Sequence, residues 1–353
     1  MDNLLGRGSS ERTTLPQGDT HALSVSLPTW ADVAQYVGTQ PPGPRWSSVA
    51  HDDGVATRFC QGINPLIARV TERLASGKDT ICYCLLFTNR DGASRFLKGQ
   101  KIDALFCTFS NILILKCPDL WRIHNLSVKY RFIVVCDDSV ANAVDVDVFP
   151  FVDIRVTSLT RTFSGTGNVA GGSVVLNTDS QHYDLISTKL KSMQDTLHPD
   201  DAMVLSGNCQ DLKQRVGEYN ANALSVVELL AGNPFVKRVN HPSLPDRKML
   251  YDRHRREGGG YGHVLTVEFL HAYHAQLFYY TLSIAKGPGY GTSFSICLPP
   301  IVYEHREAES LERVDIPRRL LLLSIGMEKK EVIKDAVMAA LLKLAISKPP
   351  GHS

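Results

Sequence analysis

The stretch "TSLTRTFSG", residues 157–165, joins a strand-like run, "FVDIRVTSLT", to a glycine-bearing turn. It carries Ser158, Thr160 and Arg161. A serine or threonine hydroxyl gives one donor and accepts in return. A guanidinium stays protonated and presents a fixed fork of N–H donors, so it can polarise a carbonyl or bind an anion but cannot form an imine. The matching acid is Asp137, at the end of "RFIVVCDDS", with Asp138 beside it and expected to face solvent. Two readings of Arg161 stand level. It is a donor to a ligand, or a structural plug paired with Asp137 or another acid. For Ser158 and Thr160, ordinary turn and strand-end hydrogen bonding competes with ligand contact.

Elements at both ends of the chain must hold these residues. "NPLIARVTERLAS" (64–76) and "CPDLWRIHNLSVKY" (117–130) space their apolar residues as helices. "TICYCLLF" (80–87), "ALFCTFS" (104–110), "RFIVVCDDS", "DIRVTSLT" (153–160) and "AGGSVVLN" (170–177) read as buried strands. That order predicts an α/β fold with a mainly parallel sheet, in which ligands sit at the carboxyl ends of strands, where Asp137 and the Arg161 turn both fall. A long helix is predicted over 179–197, and broken helices over 201–233. Then come strands at "VKRVNHP", "VLTVEFL", "SFSICLPP" and "RLLLLSIGM", a helix at "HAQLFYYTLSI" and a final helix, "EKKEVIKDAVMAALLKLAI". These form a smaller α+β domain.

Composition narrows the function classes. The net charge of +2 gives no field suited to nucleic acid or an acidic membrane. The basic runs "DRHRR" and "IPRR" are interleaved with acids and read as solvated surface. No apolar run reaches membrane-spanning length and no secretory leader is evident, so a cytoplasmic protein is expected. Most of the eight cysteines lie in apolar runs without CxxC or zinc-ligand spacing, which fits reduced buried thiols. His271 and His274 could share a helix face, but no third ligand accompanies them, and no metal site is expected. The glycines of "REGGGYGH" suggest a mobile lip at Gly258–Gly260, with Tyr261 and His263 bordering the cleft.

"ALFCTFSN", the continuous run from "CPDLW" to "SVVLN", "GGGYGHVLTVEF", "AKGPGYGTSFS" and "LLLLSIGME" together resemble the cystathionine γ-synthase group of pyridoxal-phosphate (PLP) enzymes, its fungal branch above all. "HALSVSLPTWADVAQY" (21–36) resembles that branch's extended N-terminal region. The resemblance implies a disordered start (1–20), a region like the fungal extension (21–100), a truncated remnant of the PLP fold type I large domain (101–197) and a C-terminal α+β domain (198–353).

It also implies roles. Asp137 takes the place of the aspartate that pairs with the cofactor's pyridine nitrogen, and Ser158 and Thr160 those of the residues that hold its phosphate. Arg161 stands where the Schiff-base lysine belongs. Leu322 stands where an arginine binds the substrate α-carboxylate. By the same resemblance, the block that cradles the phosphate is missing before "ALFCTF", with "LLFTNRDGASRF" (85–96) a weak substitute. His305, where the family tends to place a histidine, is expected at the surface.

With lysine, arginine and cradle gone together, PLP binding is not expected and no other cofactor is implied. Replacing a cation by leucine favours an uncharged, hydrophobic ligand. The expected function is a cofactor-free cyclase of the intramolecular Diels–Alder type, acting on a hydrophobic terpenoid or polyene in secondary metabolism, with Arg161, Ser158 and Thr160 as donors. The alternatives are a non-catalytic partner that regulates an active homologue, within an oligomer, and a surviving PLP-dependent γ-synthase.

Overall fold

The computed structural model describes residues 81–83, 104–191, 198–300 and 317–347. The helix expected over 64–76, the segment 85–96 and His305 lie outside the described residues.

The first sheet has five strands in chain order: β1 (Ile81–Tyr83), β2 (Ala104–Thr108), β3 (Ile133–Asp137), β4 (Ile154–Ser158) and β5 (Gly172–Leu176). The first four run parallel and β5 is antiparallel to β4. Every residue of β3 is buried because apolar layers cover both faces of the sheet. Leu105, Val134 and Cys136 point to one face, with Leu120 and Ile123. Phe106, Val135, Ile154 and Val156 point to the other, with Ile186. The first layer is α1 (Leu120–Tyr130). Asp119 caps it by accepting from Arg122 N at 3.2 Å, and Arg131, in the left-handed region (φ 57°), ends it. The second is α2 (Tyr183–Lys191), which occupies part of the long helix predicted over 179–197.

The second sheet has the order β6-β7-β10-β9-β8. Its strands are β6 (Val236–Asn240), β7 (Val264–Phe269), β8 (Ala285–Lys286), β9 (Ile296–Leu298) and β10 (Leu320–Ser324), antiparallel except for β8 with β9. Preceding it are α3 (Pro199–Asn208) and α4 (Leu212–Leu230). The remaining helices are α5 (Pro245–Asp252), α6 (Ala272–Thr281) and α7 (Lys330–Ile346). Alternation along β10 decides which side chain faces what. Leu321 and Leu323 enter the large core with Val226, Phe278 and Val337 from α4, α6 and α7. Leu322 points the other way, into a small cluster with Leu115 and Val140 of the first unit and Val264, Tyr290 and Leu298 of the second.

One element was missed and two expectations need correction. Helix α5, in "SLPDRKMLYD", has no apolar stripe for periodicity to find; Pro245 and Asp246 at its start were the available signal. "DRHRR" is not simply a solvated run. His254 is buried, Arg255 donates to the Gly259 carbonyl at 2.7 Å, and Arg256 to that of Ala143 at 3.0 Å. The glycine lip is seated rather than free. Gly260 N donates to Asp145 Oδ1 at 2.7 Å, and a Cβ at Gly259 would lie 2.4 Å from the Asp145 carbonyl oxygen.

Candidate active site

Asp137 ends β3, buried, with Oδ1 accepting from Ser139 N at 2.8 Å. Its Oδ2 is buried without a partner among the described residues. Burial pushes its carboxyl up to about 7, and the Ser139 contacts only partly oppose this. Asp138 corrects the expectation of a solvent-facing acid, for it is fully buried. It accepts from the Thr157 hydroxyl and lies 3.7 Å from Arg155 Nε, both on β4. Strand alternation thus sends the two neighbouring acids to different partners.

One strand over, Ser158 N donates to the Ser139 hydroxyl at 2.7 Å. The chain then enters a single π-helical turn, Leu159–Phe163, within which Arg161 departs from helical geometry (φ −85°, ψ −128°). Such turns concentrate at functional positions. Arg215 of α4 clamps it, donating to the Thr162 carbonyl at 3.2 Å and that of Phe163 at 2.8 Å. Gly165 leaves room for that clamp: its φ is +72°, and a Cβ there would lie 2.5 Å from Arg215 Nε.

The Arg161 guanidinium lies 4.9 Å from the ring centre of Tyr290, in cation–π contact. Among the described residues no ion pair joins it to Asp137, so that form of the plug reading finds no support. Tyr290 was missed by sequence reasoning. It is set in "GPGYG", where Gly291 has φ +76° and approaches Thr162 so closely that a Cβ would sit 2.5 Å from Thr162 N. Gly291 N also donates to Ser324 Oγ of β10 at 3.0 Å. Burial and the Asp137 carboxylate both raise the Tyr290 phenol, while Arg161 opposes them.

The other expected residues divide. His263 joins the site: its ring stands 6.5 Å from Tyr290 and 5.1 Å from Tyr219. Burial, then His241, holds it down to about 4, so its ring is neutral near pH 7. The His263 Nε2 and Tyr219 Oη atoms are buried without partners among the described residues. Leu322 reaches the site through its contact cluster with Tyr290. Thr160 turns away; its hydroxyl accepts from Gly171 N at 3.0 Å. Tyr261 also lies apart, its ring 5.6 Å from Tyr251 and beneath the Arg255 guanidinium at 5.0 Å. His271 and His274 have rings 5.1 Å apart, and the Phe235 ring packs edge-on against His274 at 5.1 Å.

A pyridoxal cofactor does not fit these residues. The orphaned Asp137 Oδ2 would suit a pyridine nitrogen, but Arg161 offers no amine for an imine and Thr160 is committed to the backbone. No metal-binding cluster of His, Cys, Asp and Glu occurs among the described residues, and none of their helices is long and apolar enough to cross a membrane.

A family profile described as "Cys/Met metabolism PLP-dependent enzyme" matches residues 90–342. The chain is 38% identical over 253 residues to the cystathionine gamma-synthase-like protein ankD of Aspergillus thermomutatus, covering 71% of this chain and 45% of that protein. It is 34% identical to the cystathionine gamma-synthase of Neurospora crassa, covering 71% and 41%. It therefore spans less than half the length of these relatives. The fold matches cystathionine gamma synthase from Xanthomonas oryzae pv. oryzae (TM-score 0.67, 23% identity, 73% of this chain and 67% of that one). It also matches cystathionine gamma-lyase from Lactobacillus plantarum (TM-score 0.69, 15% identity, 90% and 99%).

Proposed function

The chain belongs to the Cys/Met metabolism PLP-dependent enzyme family, and from that premise we propose that its site has left imine chemistry and works as a cofactor-free cyclase. The carrying observation is Arg161: a permanent cation at the end of β4, held on Tyr290, in the place the family resemblance gives to a lysine. The proposed reaction is an intramolecular Diels–Alder closure of a hydrophobic terpenoid or polyene. Two carbon–carbon σ bonds form as two π bonds are consumed, and no proton, electron or co-reactant enters or leaves. A norbornene-forming closure, as in sordarin-type diterpenoid assembly, is the finer form of this reading.

The chain's residues supply what such a closure needs. Arg161 polarises a carbonyl on the electron-poor partner, and one well-placed donor contributes roughly 2.7–4 kcal/mol. Leu322, Val140 and Leu298 give an apolar wall beside Tyr290, which favours a folded substrate conformer. His263, neutral near pH 7, stands behind Tyr290 as a positioning group rather than a base.

Two measurements test the proposal. Purified protein alone should change both the rate and the product ratio of cyclisation of a hydrophobic triene; identity with the buffer control sinks the reading. Incubation with pyridoxal phosphate, borohydride reduction and peptide mapping should yield no pyridoxyl-lysine, and a stoichiometric adduct would return the chain to imine chemistry. A second reading, a non-catalytic partner of an intact homologue, is favoured by Met338, Leu342 and Ile346, exposed at helical spacing along α7. Light scattering of the mixture, showing a stable complex, would support it.

A further inference from the structure

We propose that Arg161 is an anion-recognition group and that the site's ligand is an apolar acid, bound through its carboxylate. This deepens the reading above and rests on the Arg161 site being a small-molecule site.

The observation is a half-buried guanidinium with no acidic partner among the described residues. Neither nearby buried acid forms an ion pair with it among the described residues. Asp138 is held by Arg155 and Thr157, and Asp137 turns one oxygen to Ser139 N. No Arg161 nitrogen is among the buried unpartnered atoms, so its donors stay open to a ligand, and a carboxylate matches their fork with two parallel bonds. Tyr290 attracts the cation through its ring face, which uses none of the N–H donors. Gly289 makes the fit possible: its φ is +127°, and a Cβ there would come within 2.9 Å of Arg161 Nη1.

Further polar atoms around the same contact lack partners among the described residues. Thr162 Oγ1 lies against Gly291; His263 Nε2 belongs to the ring beside Tyr290, and Tyr219 Oη to the ring that packs on His263. Leu322 and its apolar neighbours share one buried cluster with Tyr290. A cation and a few hydroxyl donors next to an apolar wall describe a ligand with one acidic end and a hydrocarbon body. Leucine at 322 therefore need not mean an uncharged ligand, because the cation now stands at 161.

The experiment compares binding of farnesoic acid and methyl farnesoate to the full chain by calorimetry, below the micelle-forming concentration. The acid should bind about 10- to 100-fold more tightly than the ester. Arg161→Met should lose the preference and bind acid and ester alike, a urea midpoint close to the wild type's showing that the protein is folded. Arg161→Lys should keep part of the preference. Equal affinities in the wild type, an acid preference that survives Arg161→Met, or binding of neither probe would overturn the inference. Loss of the acid preference with cyclisation intact would remove this inference alone. An acid preference without cyclisation would remove only the cyclase reading.

Discussion

Asp137 keeps one carboxyl oxygen buried and unpartnered, and its titration should be visible in the stability of the whole protein. Its folded value, about 7, lies above the ordinary 3.8. A raised carboxyl contributes its full stability below the ordinary value and loses it as pH rises through the folded one. Between about pH 4 and pH 7 the wild type should therefore lose stability that Asp137→Asn retains. The gap should approach about 4 kcal/mol near pH 8, and urea denaturation of both proteins at pH 5 and pH 8 measures it. Equal pH slopes would show that the carboxyl is solvated. Arg161 should behave differently. With a cation–π contact and no ion pair to lose among the described residues, Arg161→Met should change stability by about 1 kcal/mol or less. Asp138 shows why the acids could not be sorted from sequence. Adjacent strand residues face opposite ways, but only pairing with β4 reveals that Thr157 and Arg155 wait on one side.

The turn after β4 is held from a distance. Arg215 reaches the Thr162 and Phe163 carbonyls from α4, so Arg215→Met should cost about 2–4 kcal/mol. Amide exchange at Ser164 and Gly165, whose N–H groups close the turn on Leu159 and Arg161, should speed up. Unchanged exchange there would assign the clamp to α4 alone. Gly291→Ala should act from the opposite side, since its Cβ meets the Thr162 backbone at a positive φ. A cost of about 1–3 kcal/mol is expected, with weaker ligand binding as Tyr290 shifts; a neutral melting temperature would contradict this packing. Strand ends were legible because buried apolar runs ending in polar residues are local patterns. The Tyr290 contact was not, because nothing in "GPGYG" states which turn the loop will cover.

Across the whole molecule, one carboxylate ties the two sheets' surroundings together. Asp145, following β3, accepts from Asn142, Asn220 of α4 and Gly260 before β7, at 2.7–2.9 Å. Asp145→Ala leaves two buried side-chain amides and the half-buried Gly260 N–H unpaired and should lower stability by about 3 kcal/mol, read from the urea midpoint. A midpoint like the wild type's would mean water replaces the carboxylate. The α/β class and most elements were legible in periodicity, whereas this junction was not, since its polar residues are scattered along the chain. The account's central claim is chemical: the Arg161 site accelerates ring closure without a cofactor. It is tested most directly by the single-turnover cyclisation rate of a triene acid with pyridoxal-free protein, beside Arg161→Met and buffer. The account predicts a wild-type rate at least about 100-fold above the variant's, with the variant still folded. Equal rates for wild type, variant and buffer would contradict it.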